Sequence, residues 1–262
     1  ILSDETKRLV MTQMGQTFAA IQSGKEFNSR NVSMSINTLL DEIMKNRDVL
    51  VQLNDIRTQD NQMYIHAMNV CMMSVLIGMN MGMNATQLKE LAMGALLHDI
   101  GKVELLTDDE SEDSRLHHTW RGFELLKNKR EFSLLIAHVA LQHHEALNGE
   151  GVPRGLMSDD IHIYAKITAV ANMYDNLLFD MSSGRRKLPH EACEYMLALA
   201  ETKLDREVLI QFMKIVSIYP TGTSVKLTNR ETGVVVGQHR GLPTRPIIRI
   251  VKQDITDNVL DV

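Results

Sequence analysis

His98-Asp99 and His143-His144 are two adjacent pairs of metal-ligating residue types, and His66 and His118 lie in the same stretch of chain. Neutral imidazoles suit a borderline divalent ion, while a carboxylate can bridge two ions through its two oxygens and supply negative charge. The set reads as a two-metal centre, and the chemistry that such a centre performs most directly is hydrolysis of a phosphate ester. Adjacency is itself informative. Consecutive residues of a helix point about 100° apart, so both members of a pair reach one site only where the helix faces it obliquely.

The elements that must position these residues are mainly helices. Apolar residues recur at helical spacing over most of the first 217 positions, and the first proline is Pro153. The pattern predicts helices at roughly 4–22, 32–50, 60–82, 86–99, 115–128, 131–145, 159–180, 189–202 and 205–217. Ser3 to Thr6 and Asn84 to Thr86 carry N-terminal capping chemistry, and Gly101 reads as a helix stop just after His98-Asp99. From Tyr219-Pro220 onward the pattern changes to short β-prone runs at 224–227, 234–236 and 247–251, with a turn at 229–233. The expected architecture is mainly α: an N-terminal helical region (1–57), a helical core (58–217) and a small C-terminal β appendage (218–262).

Composition narrows the function classes. A chain of 262 residues holds one large domain, or a medium domain with small additions, and its 44% apolar and 23% charged content is ordinary for a globular protein. The formal charge of −5 argues against a general nucleic-acid binder, which grips phosphate with clustered Lys and Arg, so DNA is not expected as a partner. The 17 methionines read as flexible core filler. Cys71 and Cys193 sit far apart in apolar helical contexts and suit reduced, buried thiols in a cytoplasmic protein. No run of about 18 residues is free of charged or strongly polar breaks, so no membrane span is expected. The chain begins at Ile1 without an initiator methionine, which reads as a fragment of something longer. The acidic run Asp108 to Asp113 reads as a solvated loop.

The stretch Ala95-Leu96-Leu97-His98-Asp99-Ile100-Gly101-Lys102 resembles the signature of the HD superfamily of metal-dependent phosphohydrolases. His118 followed by Gly122, and His143-His144-Glu145 leading into Gly149-Glu150-Gly151-Val152-Pro153, extend the likeness to the HD-GYP subfamily, the bacterial cyclic-di-GMP phosphodiesterases. The resemblance covers roughly 58–217 and continues into Tyr219 to Val225. It implies a helical bundle of HD type, with His66, His98, Asp99, His118, His143 and His144 as metal ligands and Asp99 bridging. By spacing alone His66 is as readily a core histidine as a ligand, and only the resemblance separates the two readings. Lys102, just past the helix end, is expected to neutralise phosphate oxygens. The other histidines, His117, His138, His162, His190 and His239, match no ligand position.

Several positions depart from the subfamily pattern. Gly-Tyr-Pro is replaced by Gly151-Val152-Pro153, which removes a tyrosine but keeps the loop-forming Gly151 and Pro153, both expected near substrate. Where the resemblance puts a metal-binding aspartate the chain has Asn172, a neutral and poorer donor, with Asp175 three residues on as a partial substitute or a structural residue. Gln62 stands where some members have a glutamate that supports a third metal, which favours two ions. Arg185 and Arg186 are candidate phosphate contacts. The resemblance thus implies a two-metal enzyme, holding iron or manganese, that opens cyclic-di-GMP to the linear dinucleotide and on to GMP. Asn172 and Val152 motivate the alternative of a catalytically weak receptor or interaction module, and a hydrolase of another cyclic dinucleotide is a third reading. The other expected partners are a diguanylate-cyclase or regulatory domain and a second copy of the chain, and residues 1–57 read as a linker, a dimerisation arm or a truncated regulatory part.

Overall fold

In the computed structural model the described residues are 1–53, 56–104, 112–179, 186–239 and 242–251. Among them the helices run α1 Asp4–Gln22, α2 Ser29–Lys45, α3 Gln62–Asn80, α4 Ala85–Leu96, α5 Glu112–Lys127, α6 Leu134–Gln142, α7 Ile163–Phe179, α8 Pro189–Ala198 and α9 Arg206–Met213. Their starts follow the chain's polar punctuation. The side chains of Ser3, Asn28, Asn84, Ser133 and Asp205 each accept from a first-turn backbone N–H, and Asn84 and Gln87 form a reciprocal capping box. Each such cap stabilises its helix by about 1 kcal/mol.

α3 is the centre of the bundle. It packs against α1, α2, α4, α7 and α9, and fourteen consecutive residues from Ile65 to Gly78 are buried. That enclosure explains why α3 is apolar on every side, with Met68, Met72 and Met73 filling the gaps between neighbours. It also has the length and hydropathy to cross a bilayer, the one described helix that does, yet 78% of that window is buried inside the bundle. α1 and α2 join the same apolar cluster through Val10, Met14, Phe18, Ile36, Leu39 and Ile43, and Phe18 stacks on Tyr64 at the start of α3 with ring centroids 5.3 Å apart. Between α2 and α3 the chain is fastened to the end of the helical region, where Val51 bridges Val216 in parallel.

The C-terminal segment forms an antiparallel meander, β1 Ser224–Lys226, β2 Thr232–Gly237 and β3 Ile247–Ile250, in the order β1-β2-β3. Gly233 and Val235 are its buried residues among those described. Arg185 and the acidic positions Asp108 to Ser111 fall outside the described residues.

Candidate metal centre

Both adjacent pairs lie just past the ends of helices rather than obliquely along them. α4 ends at Leu96 and α6 at Gln142, so His98-Asp99 and His143-His144 occupy the turns that follow. The first histidine of each pair closes its own helix. His98 Nδ1 donates to the Ala95 carbonyl (2.7 Å), and His143 Nδ1 donates to the carbonyls of Ala140 (2.9 Å) and Val139 (3.2 Å). Carbonyls of a last helical turn lack partners further along the helix, and the rings supply donors to them, while the Val139 carbonyl also accepts from the His143 backbone N–H (3.1 Å). The same bonds fix the tautomer: Nδ1 carries the proton and Nε2 turns its lone pair inward.

Asp99 opens a 3-10 turn, Ile100–Glu104, in which side chains three residues apart eclipse. Lys102 consequently stands over its carboxylate, Nζ 3.0 Å from Oδ2. Gly101 lets this turn lie against α5, because a Cβ there would overlap the backbone at His118 and Gly122. That close approach brings His118 to the site.

The carboxylate of Asp99 divides the imidazoles into two sets. Oδ2 lies 3.4 Å from His98 Nε2 and 3.6 Å from His66 Nε2, whereas Oδ1 lies 3.3 Å from His118 Nε2 and 3.4 Å from His143 Nε2. Within the sets, Nε2 of His66 and His98 are 3.2 Å apart and those of His118 and His143 are 3.4 Å apart. His144 completes the second set, its ring 4.1 Å from that of His143. His66, His98, Asp99, His118 and His143 are buried; His144 is half-buried, but its Nε2 is enclosed.

The donor chemistry fits a divalent cation. Since the Nδ1 atoms of His98 and His143 carry the protons, Nε2 of His143 faces Asp99 Oδ1 as acceptor to acceptor. Asp99 Oδ1 and His144 Nε2 are buried and make no hydrogen bond. Unpaired buried acceptors are costly, and a cation among them satisfies them at once. The charge states agree. Burial alone would raise the Asp99 carboxyl, but the Lys102 ammonium beside it holds it well below the usual carboxylate range. Burial pushes His143 down to about 3 and His144 well below an ordinary histidine, with neighbouring imidazoles adding to both, so the rings stay in the neutral, ligating form.

The HD domain sequence profile matches residues 51–208, well over half of the chain and all of these donors. The chain belongs to the HD domain family. A cyclic di-GMP phosphodiesterase of Pseudomonas aeruginosa is 28% identical to it over 245 residues, 89% of this chain and 58% of that protein. A cyclic di-GMP phosphodiesterase of Thermotoga maritima is 31% identical over 179 residues, 64% of this chain and 48% of that protein. The chain spans about half the length of these curated relatives. Among solved structures, a HDG"Y"P protein of Bdellovibrio bacteriovorus shares the fold, with a TM-score of 0.65 and 20% identity over 79% of this chain and 69% of that one.

Of the remaining expected residues, those of the 151–153 loop adjoin the cluster. Val152 N donates to the His144 carbonyl (3.1 Å), which ties the Gly151-Val152-Pro153 loop to the site. A Cβ at Gly151 would overlap the backbone of Glu145 and Ala146, so the loop must fold tightly there. Asn172 is buried on α7, and its Oδ1 accepts from Asn176 Nδ2 (3.2 Å). Arg186 is exposed, outside the buried cluster. Asp175 does not stand in for a carboxylate at 172, because both of its oxygens are taken. It accepts from His66 Nδ1 (2.6 Å), Arg57 Nη1 (2.9 Å) and Nη2, and Asn69 Nδ2 (3.0 Å).

Sequence reading missed Arg57 and Asn69, as well as Glu145, whose carboxylate accepts from the backbone N–H of Arg154 and of Leu156 (both 2.9 Å) and so pins the loop. One signal was present for the first two. An aspartate on an apolar helix such as 163–179 must find cationic and polar partners.

Proposed function

We propose that the protein is a two-metal phosphodiesterase of HD-GYP type that hydrolyses a 3′-5′ phosphodiester of cyclic-di-GMP to the linear dinucleotide, and further to GMP, in bacterial second-messenger signalling. The observation that supports this most is the division of the imidazoles by the two oxygens of Asp99. One carboxylate oxygen faces His66 and His98 while the other faces the set of His118, His143 and His144, the arrangement a bridging ligand needs. Two divalent ions held there, iron or manganese by the His-rich donor set, would supply an activated water at neutral pH and neutralise charge on the phosphoryl oxygens.

The chain's own contribution is positioning and charge. Asp99 keeps the two sets in register, and Lys102, partly exposed beside it, is placed to meet a non-bridging phosphate oxygen. Gly151 and Pro153 shape the wall next to His144, and Arg185 and Arg186 are read as outer phosphate contacts. Residues 58–217 are taken as the hydrolase unit and 218–262 as the β appendage. Residues 1–57 are a linker, a dimerisation arm or a truncated regulatory part, through which a cyclase or regulatory domain or a second copy would act. Two buried free thiols, Cys71 and Cys193, favour a cytoplasmic setting.

Asn172 supports a second reading, a receptor that binds the dinucleotide but turns it over poorly, because its amide oxygen is engaged by Asn176. Incubating metal-loaded protein with cyclic-di-GMP and separating the products decides between them. Linear dinucleotide is the expected product; tight binding with no linear product at any loading of iron or manganese rejects the enzyme and leaves the receptor.

A further inference from the structure

Asp175 sits on α7 with a fully buried side chain, and four donors converge on its two oxygens. Two of the four come from Arg57, which precedes α3 and grips the carboxylate with both terminal nitrogens. Its guanidinium lies 3.7 Å above the ring of Phe179 at the end of α7, and only 12% of its side chain is exposed. Fork geometry and stacking together hold a carboxylate in one orientation, which a lysine cannot do. Because Asp175 only accepts, the proton on the bonded side of His66 belongs to Nδ1, and Nε2 is left facing His98 and Asp99.

We infer that Arg57 is a positioning residue of the metal centre: by locking Asp175 it sets the tautomer and the aim of His66. The inference rests on His66 being a metal ligand, as proposed above. The segment that carries Arg57 follows α2 and is fastened at Val51, whose N–H donates to the Ile215 carbonyl (2.7 Å) and whose carbonyl accepts from Ser217 N–H (3.0 Å).

The test measures manganese binding to the full chain, by elemental analysis and competition titration, in R57A, R57Q and R57K, with helical content checked by circular dichroism. R57A and R57Q should weaken one of two ions by about 10–100-fold and leave the other unchanged, and R57K should recover part of the loss. A folded R57A or R57Q that keeps both ions at wild-type affinity overturns the inference, as does equal weakening of both, which is what general destabilisation produces. If neither variant folds, nitrogen NMR of His66 in the metal-free wild type decides: a proton on Nδ1 supports the inference and a proton on Nε2 overturns it. Wild-type protein that binds metal but cleaves no cyclic-di-GMP rejects the phosphodiesterase reading and leaves this one standing.

Discussion

The imidazoles around Asp99 are held by different means. His66 leans on a charged chain, Asp175 and then Arg57, that arrives from other parts of the sequence. His143 leans on the carbonyls of its own helix, and His144 follows it directly in the chain. The contrast separates a local half, His98, His143 and His144, set by where α4 and α6 stop, from a long-range half, His66 and His118, that depends on the packing of α3, α5, α7 and the segment before α3. A local half is rigid by construction. A half assembled over long range can be tuned from a distance.

Removing a ligand from either half breaks the comparison most severely. His66→Ala and His143→Ala should each cost hydrolysis by more than the about 100-fold that loss of an outer partner costs, while each variant keeps one ion. Elemental analysis alongside product chromatography checks this, and a variant that keeps both ions means its histidine is not a ligand. Asp175→Asn acts on the long-range half alone. It leaves Arg57 without its buried counter-charge, so unfolding in urea should show a loss of about 3 kcal/mol, with weaker binding of one ion only.

These two halves were unequally legible in the sequence. His98-Asp99 and His143-His144 stood out because adjacent ligands are rare without a purpose, and the stops that follow them, such as Gly101, sit nearby in the chain. Gly101 put His98-Asp99 at a helix C-terminus, but that α4 and α6 stop at Leu96 and Gln142, before the pairs, was not legible, because a period of 3.6 residues does not reveal that an imidazole will cap its own helix. Arg57 and Asn69 were invisible for another reason: they meet Asp175 across 118 and 106 positions, and no local pattern encodes that contact. The helices themselves were readable because each carries an apolar face, α3 excepted, whose enclosure leaves it nearly continuous in apolar residues. The β meander followed from β-branched runs separated by turn residues at 229–233.

Two smaller effects sharpen the contrast. Asn172→Asp should raise manganese affinity about tenfold if residue 172 reaches an ion, since a carboxylate is the better donor; titration showing no change would place 172 outside the centre. Acid should act through the local half. Burial chiefly, with His98 adding to it and Asp99 opposing, pushes His143 down to about 3, against about 6.5 in the unfolded chain. Between those values the unfolded chain binds more protons, so the stability of metal-free protein is present above about pH 6.5 and falls as the pH drops towards 3. The urea midpoint should be lower at about pH 5 than at about pH 7.5, and the difference should shrink in His143→Ala; an equal difference in both would assign it to other groups.

The central claim is that Asp99 joins two metal positions. Elemental analysis of the purified wild type and of Asp99→Ala tests it most directly. Two divalent ions per chain in the wild type, with one or both lost in the variant, is the predicted result; two ions retained in Asp99→Ala would contradict it and place the metal centre elsewhere.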